Sequence, residues 1–307
     1  MNKKNLYLYK NALNHKHDES EIHFNTIPLS KKGMHDYFNI VDSHRDADYF
    51  YMGQISNDQF YKYNRKTFEF FNDFPEQHIC DVEGEGGVPI PLWLKDAKIT
   101  TMGPLRSLRE FDSIFVRPTF SNLLLDIIKN RNENFDFPKD KSFGFRGFLN
   151  HDVRAMMLHA IHNSDFKKQI KINKSWAGPS KVGSDIQNEY IKIMNDNLIS
   201  LCPRGSGIDS VRLIETCYYR RVPVLISDHD YNLVGEDGND LDFVYRIVGA
   251  NLTPDDIRHQ LQLIYDTPID ILHDRSNLAR KYFDLTIREY FKDPTLFYLN
   301  WLNSNES

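Results

Sequence analysis

Short apolar runs alternate with helix-patterned segments along the chain. Most of the runs are rich in β-branched or aromatic residues, which is typical of buried strands. The predicted strands are Asn5–Tyr9, Asp48–Gln54, His78–Val82, Lys98–Met102, Ser113–Arg117, Ser142–Arg146, Gln169–Ile172, Leu198–Cys202, Val222–Ser227 and Phe243–Val248. The predicted helices are Asp58–Phe71, Ser121–Asn130, Asp152–His162, Asp185–Asn195, Ile208–Tyr219 and Pro254–Tyr265. Because strands that alternate with helices form parallel sheets covered on both faces, the pattern predicts an α/β fold.

A polar segment interrupts this alternation and predicts a domain boundary. Residues 130–141 contain a proline and no hydrophobic period, and a new strand begins at Ser142. Near the end, residues 271–302 are helical in pattern, with a break at Pro294. We therefore predict an N-terminal domain at residues 1–135, a second domain at 136–285, and a helical tail at 286–307 that packs back on the first domain.

Charge and cysteine content exclude several classes of protein. The 307 residues include 38 basic and 43 acidic side chains, and this net charge of −5 argues against nucleic acid as the main ligand. The three cysteines, Cys80, Cys202 and Cys217, have no close spacing, so we expect buried thiols rather than disulfides or a zinc site. No apolar run reaches the ~18 residues of a membrane helix, and the first residues do not form a signal peptide. We expect a cytoplasmic protein without a membrane segment.

The most informative segment is a glycine loop that follows a predicted strand. Strand Leu198–Cys202 runs into Arg204-Gly205-Ser206-Gly207 and then into a predicted helix. Ser206 and Asp209 have the spacing of a capping box, which would start the helix near Gly207. A helix start presents unpaired N–H groups and positive charge, and glycines let a ligand approach the backbone closely. The pattern predicts a phosphate site at the carboxyl edge of a parallel sheet.

Charged residues around the loop extend this prediction. The guanidinium groups of Arg204 and Arg212 can each bind a diphosphate through two hydrogen bonds. Glu215 lies in the same predicted helix, where its carboxylate could accept hydrogen bonds from the two hydroxyls of a ribose; the alternative is a surface ion pair with Arg212. Asp228 ends the next strand and either contacts the donor sugar or caps a turn.

Three segments in a fixed register carry a family resemblance. They are Leu201-Cys202-Pro203-Arg204-Gly205, Ser210-x-Arg212-Leu213-x-Glu215 and Val222-Pro223-Val224-x-Ile226-Ser227-Asp228. Together they resemble the hallmark of the exostosin family, glycosyltransferase family 47. The resemblance implies a GT-B fold, in which two Rossmann-like domains face a cleft, here with a shortened N-terminal domain. It also implies metal-independent transfer of a sugar from a nucleoside-diphosphate sugar, with UDP as the expected nucleotide, to a glycan or other hydroxyl acceptor.

The same resemblance assigns roles to individual residues. It implies that Arg204 and Arg212 bind the diphosphate, that Glu215 binds the ribose and that Ser210 is a further donor contact. Phe145-Arg146-Gly147, followed by Arg154, resembles the first strand and helix of the donor domain. The family commonly has a small residue where this chain has Arg146, so Arg146 is either an extra phosphate ligand or a salt-bridge residue. The predicted donor-binding set is Arg146, Arg154, Arg204, Gly205, Ser206, Gly207, Ser210, Arg212, Glu215 and Asp228.

A catalytic base is needed if the transfer inverts the anomeric carbon. Asp81, Glu83 and Glu85 are the candidates, because they lie at the end of the predicted strand His78–Val82 and on the glycine-rich loop after it. The alternative for these acids is a solvated turn or a contact with the acceptor. No histidine or carboxylate cluster has metal-ligand spacing, so we predict no metal site and no cofactor besides the nucleotide sugar.

Two other functions compete with sugar transfer. A GT-B-like domain could recognise a glycan or nucleotide without turnover, although the presence of Arg204, Arg212 and Glu215 argues against that. A phosphoryl transferase would need a lysine at the glycine loop and a Mg²⁺ site, and Gly205–Gly207 lacks the lysine.

Overall fold

The computed structural model describes residues 3–9, 29, 31–56, 63–83, 90–102, 113–118, 121–130, 133–138, 140–173, 185–207, 209–231, 233 and 241–305. The chain divides into two compact units. Unit 1 comprises Met1–Pro118, Tyr231–Gly235 and Glu289–Ser307, and unit 2 comprises Thr119–Asp230 and Glu236–Arg288. The chain first passes from unit 1 to unit 2 after Pro118, whereas the sequence places the boundary at residue 135. The two differ because the helix that follows Ser121 belongs to unit 2.

Unit 1 contains a six-stranded sheet in which every pair of neighbours is parallel. Its strands are β1 (Lys4–Leu8), β2 (Phe38–Val41), β3 (Tyr49–Ser56), β4 (His78–Glu83), β5 (Lys98–Met102) and β6 (Ile114–Arg117), in the order β2-β1-β3-β4-β5-β6. Helix α1 (Lys31–Tyr37) precedes β2, and single 3₁₀ turns lie at His44–Asp46, Arg65–Thr67, Pro75–Gln77 and Leu92–Leu94. The N-terminal domain, predicted to be shortened, thus carries the larger of the two sheets.

One predicted helix of unit 1 is wrong over its described part. Residues 63–71 of the predicted helix Asp58–Phe71 form a 3₁₀ turn followed by further turns. The Asn64 side chain accepts a hydrogen bond from the backbone N–H of Lys66, and the Asn64 N–H donates to the Thr67 hydroxyl. These local bonds compete with helical ones, and the chain then turns so that Phe68 and Phe71 enter the core.

Unit 2 contains a five-stranded parallel sheet. Its strands are β7 (Phe143–Gly147), β8 (Lys168–Ile172), β9 (Ile199–Pro203), β10 (Val222–Ser227) and β11 (Tyr245–Val248), in the order β11-β10-β9-β7-β8. Its helices are α2 (Asn122–Asn130), α3 (Asp152–His162), α4 (Asp185–Asp196), α5 (Val211–Tyr218), α6 (Pro254–Asp266) and α7 (Ile269–Tyr282), the last continued by a π-helical turn at Phe283–Ile287. The strands β9 and β10 are buried throughout, as their apolar runs predict.

The strand order of unit 2 reverses between β7 and β9. Chain segments leave β7 toward β8 on one side and leave β9 toward β10 on the other. This is the doubly wound arrangement, and the prediction of an α/β fold with two parallel Rossmann-like sheets is confirmed.

The final helices complete the core of unit 1. Helix α8 (Arg288–Lys292) is followed by α9 (Pro294–Asn305), so the helical segment is interrupted just before Pro294, as the sequence predicts. Asp293 starts α9 by accepting a hydrogen bond from the Leu296 N–H at 2.9 Å. Tyr298 and Leu302 of α9 belong to the same buried cluster as Leu6 and Phe115 of the six-stranded sheet.

The cysteines behave as the sequence predicts. All three are buried and unpaired, and burial raises the pKa of each thiol. Within the described ranges, no three His, Cys, Asp or Glu side chains are grouped so that they could hold a metal ion. None of the helices described above combines the length and apolar character that crossing a membrane requires.

His78 lies at the centre of an aromatic cluster in unit 1. Its fully buried ring stacks on Phe50, with 4.8 Å between the ring centroids. Nδ1 lies 2.7 Å from the carbonyl oxygen of Phe74, which can only accept, so Nδ1 carries the proton and Nε2 accepts from the Tyr9 hydroxyl at 2.9 Å. Burial lowers the pKa of His78 to about 4.

This burial predicts acid-dependent stability. Between pH 4 and about 6.5 the unfolded chain binds a proton at His78 that the folded chain does not, so stability falls as pH decreases through that window. The loss should be about 3 kcal/mol in the free energy of unfolding. His78→Phe keeps the ring stack and should remove this part of the pH dependence, whereas substitution of the exposed His259 by Gln should leave it unchanged. Chemical unfolding at several pH values measures the difference, and equal slopes for wild type and His78→Phe would contradict it.

Candidate functional site

The carboxyl ends of β7 and β9 form the edge at which the strand order of unit 2 reverses. Helix α3 follows β7 and packs against α6, whereas α5 follows β9 and packs against α7. Right-handed crossovers send α3 and α5 to opposite faces of the sheet, so their first turns flank the same edge. In open α/β sheets the ligand crevice opens at such a switch point.

Two arginines connect the two sides of this edge reciprocally. Arg154 of α3 donates from Nε to the carbonyl oxygen of Arg204 at 2.8 Å, just beyond the end of β9. Arg212 of α5 donates from Nη2 to the carbonyl oxygen of Arg146 in β7. Each helix is therefore held to the strand that precedes the other helix, and both guanidinium groups lie at the switch point.

Aromatic rings fix the guanidinium group of Arg212. Its central carbon is 4.6 Å from the centroid of the Phe145 ring and 4.8 Å from the centroid of the Tyr190 ring. Contacts of this kind stabilise a partly desolvated cation and hold the planar group in one orientation. The side chain is thus pre-organised to present its remaining N–H groups to a ligand.

The two arginines are close enough for their charges to interact, and the carboxylate of Glu215 acts on Arg212 without forming an ion pair with it. Burial and the neighbouring charge of Arg212 lower the pKa of Arg154 to about 10. Among the residues that the structure describes, neither Arg154 nor Arg212 has a carboxylate within ion-pair distance. Two close positive charges repel one another, and an anion between them would relieve that repulsion. The arrangement is suited to binding a phosphate group or diphosphate.

Gly205 makes room for the guanidinium group of Arg154. A Cβ atom on Gly205 would lie 2.9 Å from Nη2 of Arg154, so this cation lies directly against the backbone just after β9. At Gly147, at the end of β7, an added Cβ would instead meet the ring of Phe145 at 2.8 Å and would lie 3.4 Å from Nη2 of Arg212.

The guanidinium group of Arg204 binds the backbone of the glycine loop. Its Nη1 donates to Oδ1 of Asp228 at 2.5 Å, its Nε to the carbonyl of Gly207 at 3.1 Å and its Nη2 to the carbonyl of Ser206 at 3.3 Å. Burial raises the pKa of the Asp228 carboxyl, but the hydrogen bond and charge of Arg204 outweigh it, and the net pKa is lowered. The ion pair neutralises the charge of Arg204, and it shows that Asp228 binds a side chain of the protein itself.

The same contacts explain why the predicted helix start is wrong. Helix α5 begins at Val211 with Ser210, which is buried, at the N-cap position, instead of beginning near Gly207 with a capping box of Ser206 and Asp209. The carbonyl groups of Ser206 and Gly207 are bonded to Arg204, so they do not start a helical ladder. Ser206 instead accepts a hydrogen bond from Nδ2 of Asn150 at 3.1 Å, which ties the loop after β7 to the loop after β9.

Glu215 is buried behind Arg212, and its carboxylate has two hydroxyl partners. Ser121 donates to Oε1 at 2.5 Å, and the Tyr190 hydroxyl donates to Oε2. Burial raises the pKa of Glu215, although both hydrogen bonds and the charge of Arg212 oppose that rise. The alternative of an ion pair with Arg212 is not what the structure shows, because the hydrogen-bond partners of both carboxylate oxygens are hydroxyls and no Arg212 nitrogen lies within ion-pair distance.

Arg146 takes the salt-bridge alternative. It is only 5% exposed, and its Nη1 lies 2.8 Å from Oε2 of Glu189. The same guanidinium donates to the carbonyl of Ile186 at 2.5 Å and to Oδ1 of Asn173 at 3.1 Å. Because these partners belong to the fold, Arg146 holds α4 to β7, and its expected role as a phosphate ligand is not supported by this placement.

The candidate bases belong to unit 1. Asp81 is completely buried in β4, where it accepts hydrogen bonds from Tyr51 at 2.7 Å and from Thr100. A carboxylate held in this way stabilises the sheet and cannot reach a ligand in solution, so the placement favours a structural role. Glu83 is the last residue of β4, and Glu85 lies outside the described residues.

Sequence reasoning missed two side chains at the switch point. Tyr190 contacts both Arg212 and Glu215, and His151 stands at the start of α3. An aromatic residue on a helix is ordinarily read as core, and a histidine before a helix is a weak capping signal. Only the spacing of His151 after β7 could have pointed to the site.

The close approach at Gly205 gives a test of the anion site. Gly205→Ala should push the Arg154 guanidinium away from the edge and weaken the binding of inorganic pyrophosphate roughly tenfold, the loss of one charge-assisted hydrogen bond. Stability should change by less than about 1 kcal/mol, because the clash is with the end of a flexible side chain. Gly249→Ala is the matched control, since its Cβ would make an ordinary contact 3.6 Å from Leu252. Calorimetric titration measures the affinities, and equal binding by both variants would contradict the assignment.

Comparison with known proteins adds no family assignment. No protein-family model matches the chain, and no curated protein matches it in sequence. Among solved structures, it is similar to an α1,3-fucosyltransferase at 10% identity and a TM-score of 0.43, covering 96% of this chain and 92% of that one. It is also similar to a glycosyltransferase from Rickettsia africae ESF-5 at 10% identity and a TM-score of 0.35, covering 100% and 99%.

A third similarity covers less of its partner. The chain is similar to TarM at 14% identity and a TM-score of 0.34. The similarity covers 76% of this chain and 55% of TarM, so the chain spans about half the length of that protein. Because all of these TM-scores are below 0.5, the similarities carry no argument about the reaction.

Proposed function

We propose that this chain is a metal-independent glycosyltransferase that moves a sugar from a nucleoside-diphosphate sugar to a hydroxyl acceptor. The observation that carries the proposal is the pair Arg154 and Arg212 at the switch point of unit 2, close together and without a carboxylate partner among the described residues. The diphosphate of the donor binds between them. No cofactor besides the nucleotide sugar is required.

The chemistry of the leaving group supports this assignment. When the bond between the sugar and the diphosphate breaks, the electron pair stays on the phosphate oxygen, and the negative charge there increases. Fixed positive groups that meet this charge lower the barrier. Two guanidinium groups held by backbone carbonyls and, for Arg212, by aromatic rings supply positive charge without reorganisation.

The nucleoside side of the donor is assigned to Glu215. Its oxygens each accept one hydroxyl in the structure, from Ser121 and Tyr190, and hydroxyls are also what a ribose presents. The register of Arg204, Arg212 and Glu215 is the basis for proposing an exostosin-like enzyme with UDP as the nucleotide. In this proposal Arg204 and Asp228 act together by holding the loop Gly205–Gly207 under the phosphates.

A base is needed if the transfer inverts the anomeric carbon. Glu83 and Glu85 are the proposed candidates. Asp81 suits that role least, because Tyr51 and Thr100 hold its buried carboxylate.

The burial of Asp81 also favours a second candidate, a module that binds a nucleotide sugar or glycan without turnover. Such a protein would keep Arg154 and Arg212 and would need no base. Hydrolysis or transfer of the donor sugar distinguishes the two, because a binding module releases the donor intact.

A panel of nucleotide sugars tests the proposal. Wild type should be stabilised by at least one member of the panel, by about 2.7 kcal/mol at a ligand concentration of 100 times Kd. Arg212→Ala should weaken binding of that ligand roughly a hundredfold, because a bidentate contact and the ring-held cation are both lost. Arg275→Ala is the matched control, since Arg275 also lies over a ring, 4.3 Å from the Tyr245 centroid.

Thermal shift gives the binding, and release of free sugar or a glycosylated acceptor gives the turnover. Unchanged affinity in Arg212→Ala would overturn the proposed site. Tight binding with no release or transfer of sugar would instead establish the binding module.

A further inference from the structure

His151 occupies the N-cap position of α3, directly beside the proposed diphosphate site. Its backbone is extended, and Nδ1 accepts a hydrogen bond from the Val153 N–H at 3.2 Å. Serine, threonine, aspartate and asparagine are the residues that cap helices best. A histidine there stabilises the helix less than those residues would, so the capping function alone does not account for it.

The capping bond fixes which nitrogen carries the proton. Because Nδ1 accepts, the neutral imidazole must hold its proton on Nε2, on the opposite side of the ring. Nε2 lies 3.9 Å from Oδ2 of Asp228, which is too far for a hydrogen bond. The His151 and Asp228 side chains are 25% and 27% exposed, so both are partly open to solvent.

Two positive and two negative groups act on the ring. Arg204 faces it from the loop after β9 and Arg154 from α3, while Asp228 faces it from the end of β10 and Asp152 from α3. The pKa of His151 is lowered by burial and then by Arg204, and Asp228 offsets this only in part. The adjacent Asn150 bonds to Ser206, which holds the His151 loop against the glycine loop.

We propose that His151 is a ligand of the diphosphate, donating from Nε2 to a phosphate oxygen and taking up a proton when the diphosphate binds. This inference rests on the proposed function and adds to it a ligand of the diphosphate whose charge changes on binding. The proton matters because the diphosphate becomes more negative as the sugar leaves. Arg204 contributes little positive charge there, because it forms an ion pair with Asp228. A protonated His151 would therefore add a third positive group, beside Arg154 and Arg212, to stabilise the negative charge of the leaving diphosphate.

His151→Asn separates the capping role from the proposed one. Asparagine is a preferred N-cap, so α3 should keep its cap and the melting temperature should stay the same or rise. The variant has no ring nitrogen to carry a proton or to reach the phosphate. UDP should bind it roughly tenfold more weakly than wild type, the loss of one hydrogen bond to a charged group.

Proton uptake is the readout that a structural role would not change. UDP titrations at about pH 6.5, in two buffers with different ionisation enthalpies, give the number of protons bound with the nucleotide. Wild type should take up more protons than His151→Asn, and the ionisation of free UDP is common to both titrations. His162→Asn is the matched control, because His162 is an exposed histidine in the last turn of the same helix.

The outcomes distinguish this inference from the proposed function. Equal proton uptake by wild type and His151→Asn overturns the inference, whatever the affinities are. If UDP binding is then still lost in Arg212→Ala, the proposed site stands without His151. If wild type binds none of UDP, GDP and inorganic pyrophosphate, both fail.

Discussion

Unit 2 depends on a pair of arginines that cross its switch point in opposite directions. Arg154 reaches from α3 to the carbonyl after β9, and Arg212 reaches from α5 to a carbonyl in β7. These bonds link the ends of β7 and β9, the neighbouring strands between which the strand order reverses. They also bring two positive charges close to each other, which costs stability unless an anion is present. The arginines that hold the two strands together are therefore also the residues of the proposed anion site.

The other two arginines of the region are paired with carboxylates of the protein. Arg146 is paired with Glu189 and Arg204 with Asp228, so both are neutralised within the protein. On sequence alone these four arginines look alike, because each stands near the end of a strand or the start of a helix. Their partners come from other strands and helices, and only the folded chain brings them together.

The larger elements could be predicted because their signals are local. The buried runs of β9 and β10 and the segment Asp152–His162 were placed within a residue by apolar pattern and polarity. Strand β2 is absent from the predicted elements, although β6 and β11 are equally short edge strands and are predicted. It starts at Phe38, directly after helix α1 ends at Tyr37, so no turn residue marks where it begins. The capping box after Gly205 failed because Arg204 binds the carbonyls that a helix would use. Likewise, Asp81 accepts hydrogen bonds from Tyr51 and Thr100 on the two neighbouring strands. These partners are far away in the sequence, so residue spacing cannot predict the contacts.

The central claim is that the diphosphate of a nucleotide sugar binds at the carboxyl ends of β7 and β9. A crystal structure of the protein with UDP tests this most directly. The account predicts phosphate oxygens within hydrogen-bond distance of the Arg154 and Arg212 guanidinium groups. A diphosphate bound instead in the cavity of about 480 Å³ that Lys167, Lys168 and Asn197 help to line, by the opposite ends of these strands, would contradict it.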